Sequence, residues 1–166
     1  MKKRWLGLFL LISLLLSACT NSTVTQPVTQ SPAELPTETS PALTLTDALG
    51  RTVTLDSLPE RIVVTGKASL MVLDAMYMFP EARERVVAFE DLAQGDVNFI
   101  SLLDPNYAEK AWLQRDAGVE QFVSAEPDLV VMKSSNAEKY GAPIEAINIP
   151  VVYVDFETPE QYARDL

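Results

Sequence analysis

The chain has 166 residues, with 13 Lys and Arg against 23 Asp and Glu, a formal charge of −10 and no histidine. Such acidity repels nucleic acid and anionic lipid headgroups, which argues against a nucleic-acid partner. The missing histidine removes the commonest general base and metal ligand, so no Ser-His-Asp or Cys-His system can form; with Cys19 as the only cysteine there is no internal disulfide.

Lys2, Lys3 and Arg4 form a basic start, and Trp5 to Ala18 is apolar but for Gly7, Ser13 and Ser17. As a helix this run spans roughly 21 Å. A bilayer core is about 30 Å thick, so the run reads as an export signal and not as a transmembrane helix. Leu16-Ser17-Ala18-Cys19 resembles a bacterial lipobox at all four positions. The resemblance implies a signal peptide over residues 1–18, cut away to leave an acylated Cys19 as the first mature residue. Several acyl chains, each contributing about 0.8 kcal/mol per buried methylene, would tether the protein firmly. Loss of the signal leaves ten basic and 23 acidic residues, a formal charge of −13.

Residues 19–41 read as a disordered tether. Nine of the 22 residues from Thr20 to Pro41 are Ser or Thr and four are Pro, too little apolar surface to offset ordering entropy. A chain of this length spans roughly 26 Å when flexible and about 68 Å as extended polyproline.

Structure is expected to resume at residue 42. Leu43, Leu45, Val53 and Leu55 alternate with threonines around a bend at Asp47 to Arg51, which predicts a β-hairpin. Arg61 to Thr65 reads as a buried parallel strand. Ser69 is a candidate cap for a helix that runs to about Pro80, with Met71, Met76 and Met78 as packing residues. Glu81 to Arg85 reads as a charged turn and Val86 to Phe89 as a second strand. Asn98 to Leu103 suggests a short helix, Asp104-Pro105-Asn106 a turn, and Gly118 to Val123 another helix. Trp112 fits no element. Leu129 to Met132 and Val151 to Val154 are the third and fourth strands, with a small helix at Pro143 to Ile147 between them.

Four apolar strands alternating with helices imply α/β units on a parallel sheet. In such sheets ligands bind beyond the carboxyl ends of the strands. Those ends are Gly66 to Ser69, Phe89 to Asp91, Lys133 to Asn136 and Asp155 to Glu157. Thr158, Pro159 and Gln161 then make a helix start with a capping box. Residues 158–166 hold barely two turns, which leads us to expect the front portion of a longer protein.

From Leu43 to Leu166 the chain resembles the N-terminal lobe of a periplasmic binding protein serving ABC importers of ferric siderophores, haem and cobalamin. Four stretches carry the resemblance: Asp47-Ala48-Leu49-Gly50-Arg51-Thr52-Val53, Pro59-Glu60-Arg61-Ile62-Val63, Glu126-Pro127-Asp128-Leu129-Val130-Val131, and Ile149-Pro150-Val151-Val152-Tyr153. It implies a Rossmann-like lobe over residues 42–157 and the start of an inter-lobe helix over 158–166. It also implies a small-molecule ligand held between two lobes and an ABC permease partner, docked through one glutamate per lobe; Glu81, Glu84 and Glu90 are candidates here. The location implied is extracytoplasmic, with no cofactor and no catalytic residue.

Candidate ligand residues lie at the strand exits. Gly66, Lys67 and Ser69, and Lys133, Ser134, Ser135 and Asn136, form a polar cationic rim suited to an anionic iron chelate, or else solvated lysines and caps. Glu90, with Asp91, Asp155 and Glu157, is a rim or structural carboxylate. Phe89, Phe156 and Tyr107 offer apolar contact to a ligand or to the core. Gly66-Lys67 is not a phosphate loop, because the glycine required five residues earlier is Arg61. Two other functions compete. One is a membrane-tethered interaction module without a small ligand. The other, an exported hydrolase, is disfavoured by the lack of a Gly-x-Ser-x-Gly elbow.

Overall fold

The computed structural model describes residues 42–90 and 99–166. The expected signal peptide, Cys19, the expected tether and the segment from Asp91 to Asn98 lie outside the described residues. Strands β1 (Leu43–Thr46) and β2 (Thr52–Leu55) pair antiparallel, with Leu43 opposite Leu55 and Thr46 opposite Thr52. The Asp47 carboxylate closes the bend by accepting the Leu49 and Arg51 N–H groups, each at 3.0 Å. Gly50 sits at φ +73°, a conformation that costs a residue without Cβ little.

The main sheet contains β3 (Ile62–Val64), β4 (Val86–Glu90), β5 (Ala111–Leu113), β6 (Leu129–Lys133) and β7 (Val151–Val154). All pairings are parallel, in the order β5-β4-β3-β6-β7. Helices α1 (Ser69–Met76), α2 (Ala82–Arg85), α3 (Phe99–Leu103), α4 (Val119–Ser124), α5 (Ala142–Glu145) and α6 (Pro159–Asp165) complete the lobe. No helix of the described residues is long and apolar enough to cross a membrane.

Successive strand residues point to opposite faces, and both faces are covered, which explains why these strands are apolar throughout. Ile62, Val64, Leu129, Val131, Val152 and Val154 join Val72 and Leu73 of α1 and Ile100 of α3 in one core. Val63, Val130, Met132, Val151 and Tyr153 join Phe122 of α4 and Ile144 of α5 in the other. Each fully buried aliphatic or aromatic side chain contributes about 1.5–3 kcal/mol.

The four stretches that carried the resemblance dock in pairs. Arg51 donates to Asp47 at 2.7 and 2.9 Å, to Glu145 at 2.6 Å and to the Val151 carbonyl at 3.0 Å, and stacks 4.5 Å over the Tyr153 ring. Ala48 N–H donates to the Tyr153 carbonyl at 2.8 Å, so the hairpin is fastened to β7. At the start of β3, the Asp128 carboxylate accepts the Glu60 and Arg61 N–H groups at 2.7 and 2.9 Å, and Arg61 donates to the Ala125 and Glu126 carbonyls. That pair of contacts sets the register of β3 against β6.

The structure departs from the sequence reading at four points. The sheet has five strands, because Ala111-Trp112-Leu113 adds an edge strand beside β4. Residues 82–85 form a helical turn where a plain turn is expected. Ser69 does not cap α1: Ala68, at φ 62°, holds the N-cap position, and Ser69 is a buried first helical residue. Met78 lies beyond the helix end and is exposed, whereas Met71 and Met76 pack against the core. The capping box on α6 forms as expected, with Gln161 N–H donating to Thr158 Oγ1 and Thr158 N–H donating to Gln161 Oε1.

Candidate functional site

Because all five strands run the same way, their carboxyl ends open on one edge. From β3 the chain steps outward through β4 to β5, then returns to the other side of β3 for β6 and β7. The direction therefore reverses between β3 and β6. Ligands in open α/β sheets bind at such a reversal, where successive loops diverge and leave a crevice. The loops that flank it here are Gly66 to Ser69 and Lys133 to Asn136.

Asn136 joins these two loops. Its Oδ1 accepts the Lys67 N–H at 3.0 Å and its Nδ2 donates to the Lys67 carbonyl at 3.2 Å. Asn136 itself is buried. On the far side of the same loop, Glu90 Oε2 accepts the Gly66 N–H at 2.7 Å and the Thr65 hydroxyl at 3.2 Å, and Glu90 Oε1 accepts the Asp116 N–H at 3.3 Å. Gly66 (φ +88°) and Ala68 (φ 62°) are left-handed on either side of Lys67. For Ala68 that conformation is strained, of the kind that persists only where surroundings impose it. The strained, doubly clamped loop presents Lys67 at the surface, and its ammonium has no ion-pair partner among the described residues.

The other exits are knit to one another. Lys133, only 4% exposed, pairs with the exposed Glu157. Ser134 Oγ donates to Asp155, and Ser135 is exposed. Asp165 of α6 accepts the Asp155 N–H at 2.7 Å and pairs with Arg164, which also reaches Asp155 at 2.9 Å. Burial alone would raise the Asp165 carboxyl, but hydrogen bonds from Arg164 and from the Asp155 and Phe156 N–H groups hold it below the ordinary range. Phe156, at φ 56°, turns its ring inward, where it is buried and packs on Tyr162 of α6.

The sequence-derived rim thus divides. Gly66, Lys67, Ser134, Ser135 and Asn136 gather at the β3 and β6 exits, with Lys67 and Ser135 facing solvent. Ser69, Phe89, Glu90 and Phe156 are buried in the lobe, and Lys133 is buried with its ammonium on Glu157. Of the three glutamates considered for docking, Glu81 and Glu84 are exposed and Glu90 is buried with both oxygens engaged. Asp91 lies outside the described residues.

Sequence reasoning missed Trp112. It lies opposite Phe89 in the β4–β5 ladder, 44% exposed, with ring centroids 4.8 Å from Phe89 and 5.1 Å from Tyr107. Because β5 flanks only the last three residues of β4, this aromatic cluster packs beside the end of β4. No group of three or more His, Cys, Asp or Glu side chains among the described residues is placed to hold a metal ion.

No protein-family model matches the chain, and no curated protein matches it. Solved structures do. A TroA-like periplasmic binding protein, FepB, from Veillonella parvula is 21% identical with a TM-score of 0.55, over 68% of this chain and 36% of that one. A periplasmic solute binding protein from Veillonella parvula is 17% identical with a TM-score of 0.58, over 75% of this chain and 38% of that one. Helicobacter pylori CeuE, solved as a nickel–histidine complex, is 18% identical with a TM-score of 0.57, over 73% of this chain and 39% of that one. The fold is that of one Rossmann-like lobe of TroA-like binding proteins. The matched region spans well under half the length of these relatives, the extent of a single lobe.

Proposed function

We propose that this chain forms the N-terminal lobe of a substrate-binding lipoprotein of an ABC importer, which captures an iron–siderophore-type chelate, haem or cobalamin outside the membrane and delivers it to a permease. Residues 1–18 direct export, Cys19 takes the lipid, residues 19–41 are the tether, and α6 begins the connection to a second lobe. Capture needs binding and closure and no bond chemistry. The observation that carries this reading is the reversal of strand order at β3–β6, where a clamped, strained loop holds Lys67 out to solvent. An ammonium with no ion-pair partner among the described residues suits the oxygen-rich, anionic surface of a ferric chelate. The likeness in fold to periplasmic binding proteins supports the same reading.

Once the first 18 residues are removed, Trp112 is the only tryptophan in the chain, and its half-exposed ring beside the end of β4 offers a fluorescence readout. Titration with ferric siderophores, haem and cobalamin, followed by Trp112 fluorescence and by melting temperature, tests the proposal. A saturable response to one class, weakened by Lys67→Ala, supports it. The isolated lobe binds more weakly than the protein carrying both walls of the cleft. No response across the panel from that longer protein would favour the tethered interaction module instead.

A further inference from the structure

A second opening lies at the opposite, amino-terminal edge of the sheet. It is a cavity of about 400 Å³ lined by Arg61, Arg83, Glu84, Val87, Glu109 and Lys110, among others. Acidic residues outnumber basic ones almost two to one in this chain, yet neither Arg61 nor Arg83 enters an ion pair among the described residues. The Arg83 Nε–H is buried and has no hydrogen-bond acceptor among the described residues. Unpaired buried donors on a charged group are rare because the lost hydration is not replaced.

The neighbouring acceptors are already engaged. Asp104 takes the Tyr77 hydroxyl at 2.7 Å, the Asn106 N–H at 2.9 Å and Lys110 Nζ at 3.1 Å. The Arg83 carbonyl and the Val86 carbonyl take the other Lys110 donors. Arg61 commits Nε and Nη2 to the Glu126 and Ala125 carbonyls. Arg61 and Arg83 both line the cavity, and no side-chain hydrogen bond or ion pair among the described residues engages the Arg83 guanidinium. Glu84 and Glu109 stand at the same walls, so local charge is nearly balanced and selects a compact acceptor over a large polyanion.

We propose that this cavity binds a small oxyanion of the phosphate, sulfate or carboxylate type, with Arg83 as its principal donor. A tetrahedral or planar oxyanion presents oxygens in pairs, which a guanidinium fork meets with two parallel hydrogen bonds. The site is separate from the β3–β6 reversal, and it stands or falls independently of ligand capture there.

Calorimetric titration of the 166-residue chain with inorganic phosphate, at ionic strength fixed with sodium chloride, tests it. Saturable binding is expected, weakened at least about tenfold in Arg83→Gln and also in Arg83→Lys, which keeps the charge but loses the fork. Lys139→Gln, which removes an exposed charge elsewhere on the lobe, leaves binding unchanged. If free phosphate gives no heat, but the chain prefers phosphatidylglycerol over phosphatidylcholine vesicles in an Arg83-dependent way, the oxyanion is a lipid headgroup. Absence of both responses, or binding undiminished in both Arg83 variants, overturns the proposal.

Discussion

Replacing Glu90 with Gln isolates the contact that supports the β3 exit. The carboxylate accepts three hydrogen bonds, from Gly66 N–H, the Thr65 hydroxyl and Asp116 N–H, and Glu90 is only 7% exposed. An amide can keep one oxygen on the Gly66 and Thr65 side, but its NH2 then meets the Asp116 N–H donor to donor. Exchanging an ionised acceptor for a neutral one weakens the 2.7 Å bond by about 1 kcal/mol, and a donor left without an acceptor adds roughly another 1 kcal/mol. The total of about 2 kcal/mol corresponds to a fall in melting temperature of roughly 8 °C for a lobe of this size. Urea unfolding of the wild type and Glu90→Gln, with the slope unchanged and the midpoint lowered, is the expected result. Glu90→Asp, which cannot reach all three donors, falls at least as far. Midpoints within about 0.5 kcal/mol of wild type would refute the idea that Glu90 is the clasp of this loop.

Other perturbations separate the remaining contacts. Gly66→Ala forces a Cβ to within 2.9 Å of Asn136 Cγ at φ +88°, so we expect a loss of about 2 kcal/mol, read by chemical denaturation, and weaker ligand response. Arg51→Met leaves Asp47 buried without its cation and removes the Arg51 contacts to Val151 and Glu145 that tie the hairpin to β7 and α5; a loss of about 2 kcal/mol is expected, moderated by the partial exposure of Arg51. Burial raises the Asp74 carboxyl, whose Oδ1 has no hydrogen-bond partner among the described residues. A raised carboxyl binds its proton more readily in the folded state, so stability falls as pH rises from the ordinary aspartate value through the raised one. Asp74→Asn should therefore stabilise the lobe at pH 7 by under about 1 kcal/mol, since water still reaches part of the group, with no advantage below pH of about 3. A variant equally stabilised at both pH values would contradict this.

Much of the lobe was legible because burial on both faces of a parallel sheet leaves an unbroken apolar run. Ile62 to Val64, Val86 to Phe89, Leu129 to Met132 and Val151 to Val154 all read as strands for that reason. Ala111-Trp112-Leu113 did not, because a three-residue edge strand with two exposed side chains has neither the length nor the alternation that marks a strand. The strand exits were placed correctly along the chain, and their convergence follows from parallel order alone. Which exit side chains face solvent was not legible. Glu90 and Lys133 look like rim charges in sequence, but one folds under the β3 loop and the other under Glu157. Those assignments depend on contacts 24 to 26 positions apart that no local pattern records. Ser69 misled for a related reason: serine favours the cap position, but the left-handed Ala68 starts the helix one residue earlier.

The two-point grip of Asn136 on Lys67 acts as a stitch placed beyond the hem of the sheet. Its amide must both accept and donate, so an aspartate of the same shape would lose half of the grip. Since the strands have already parted at that level, the stitch makes the two loops a single piece. Both loops thus share one anchor, and losing it would leave each exit held by its own strand alone.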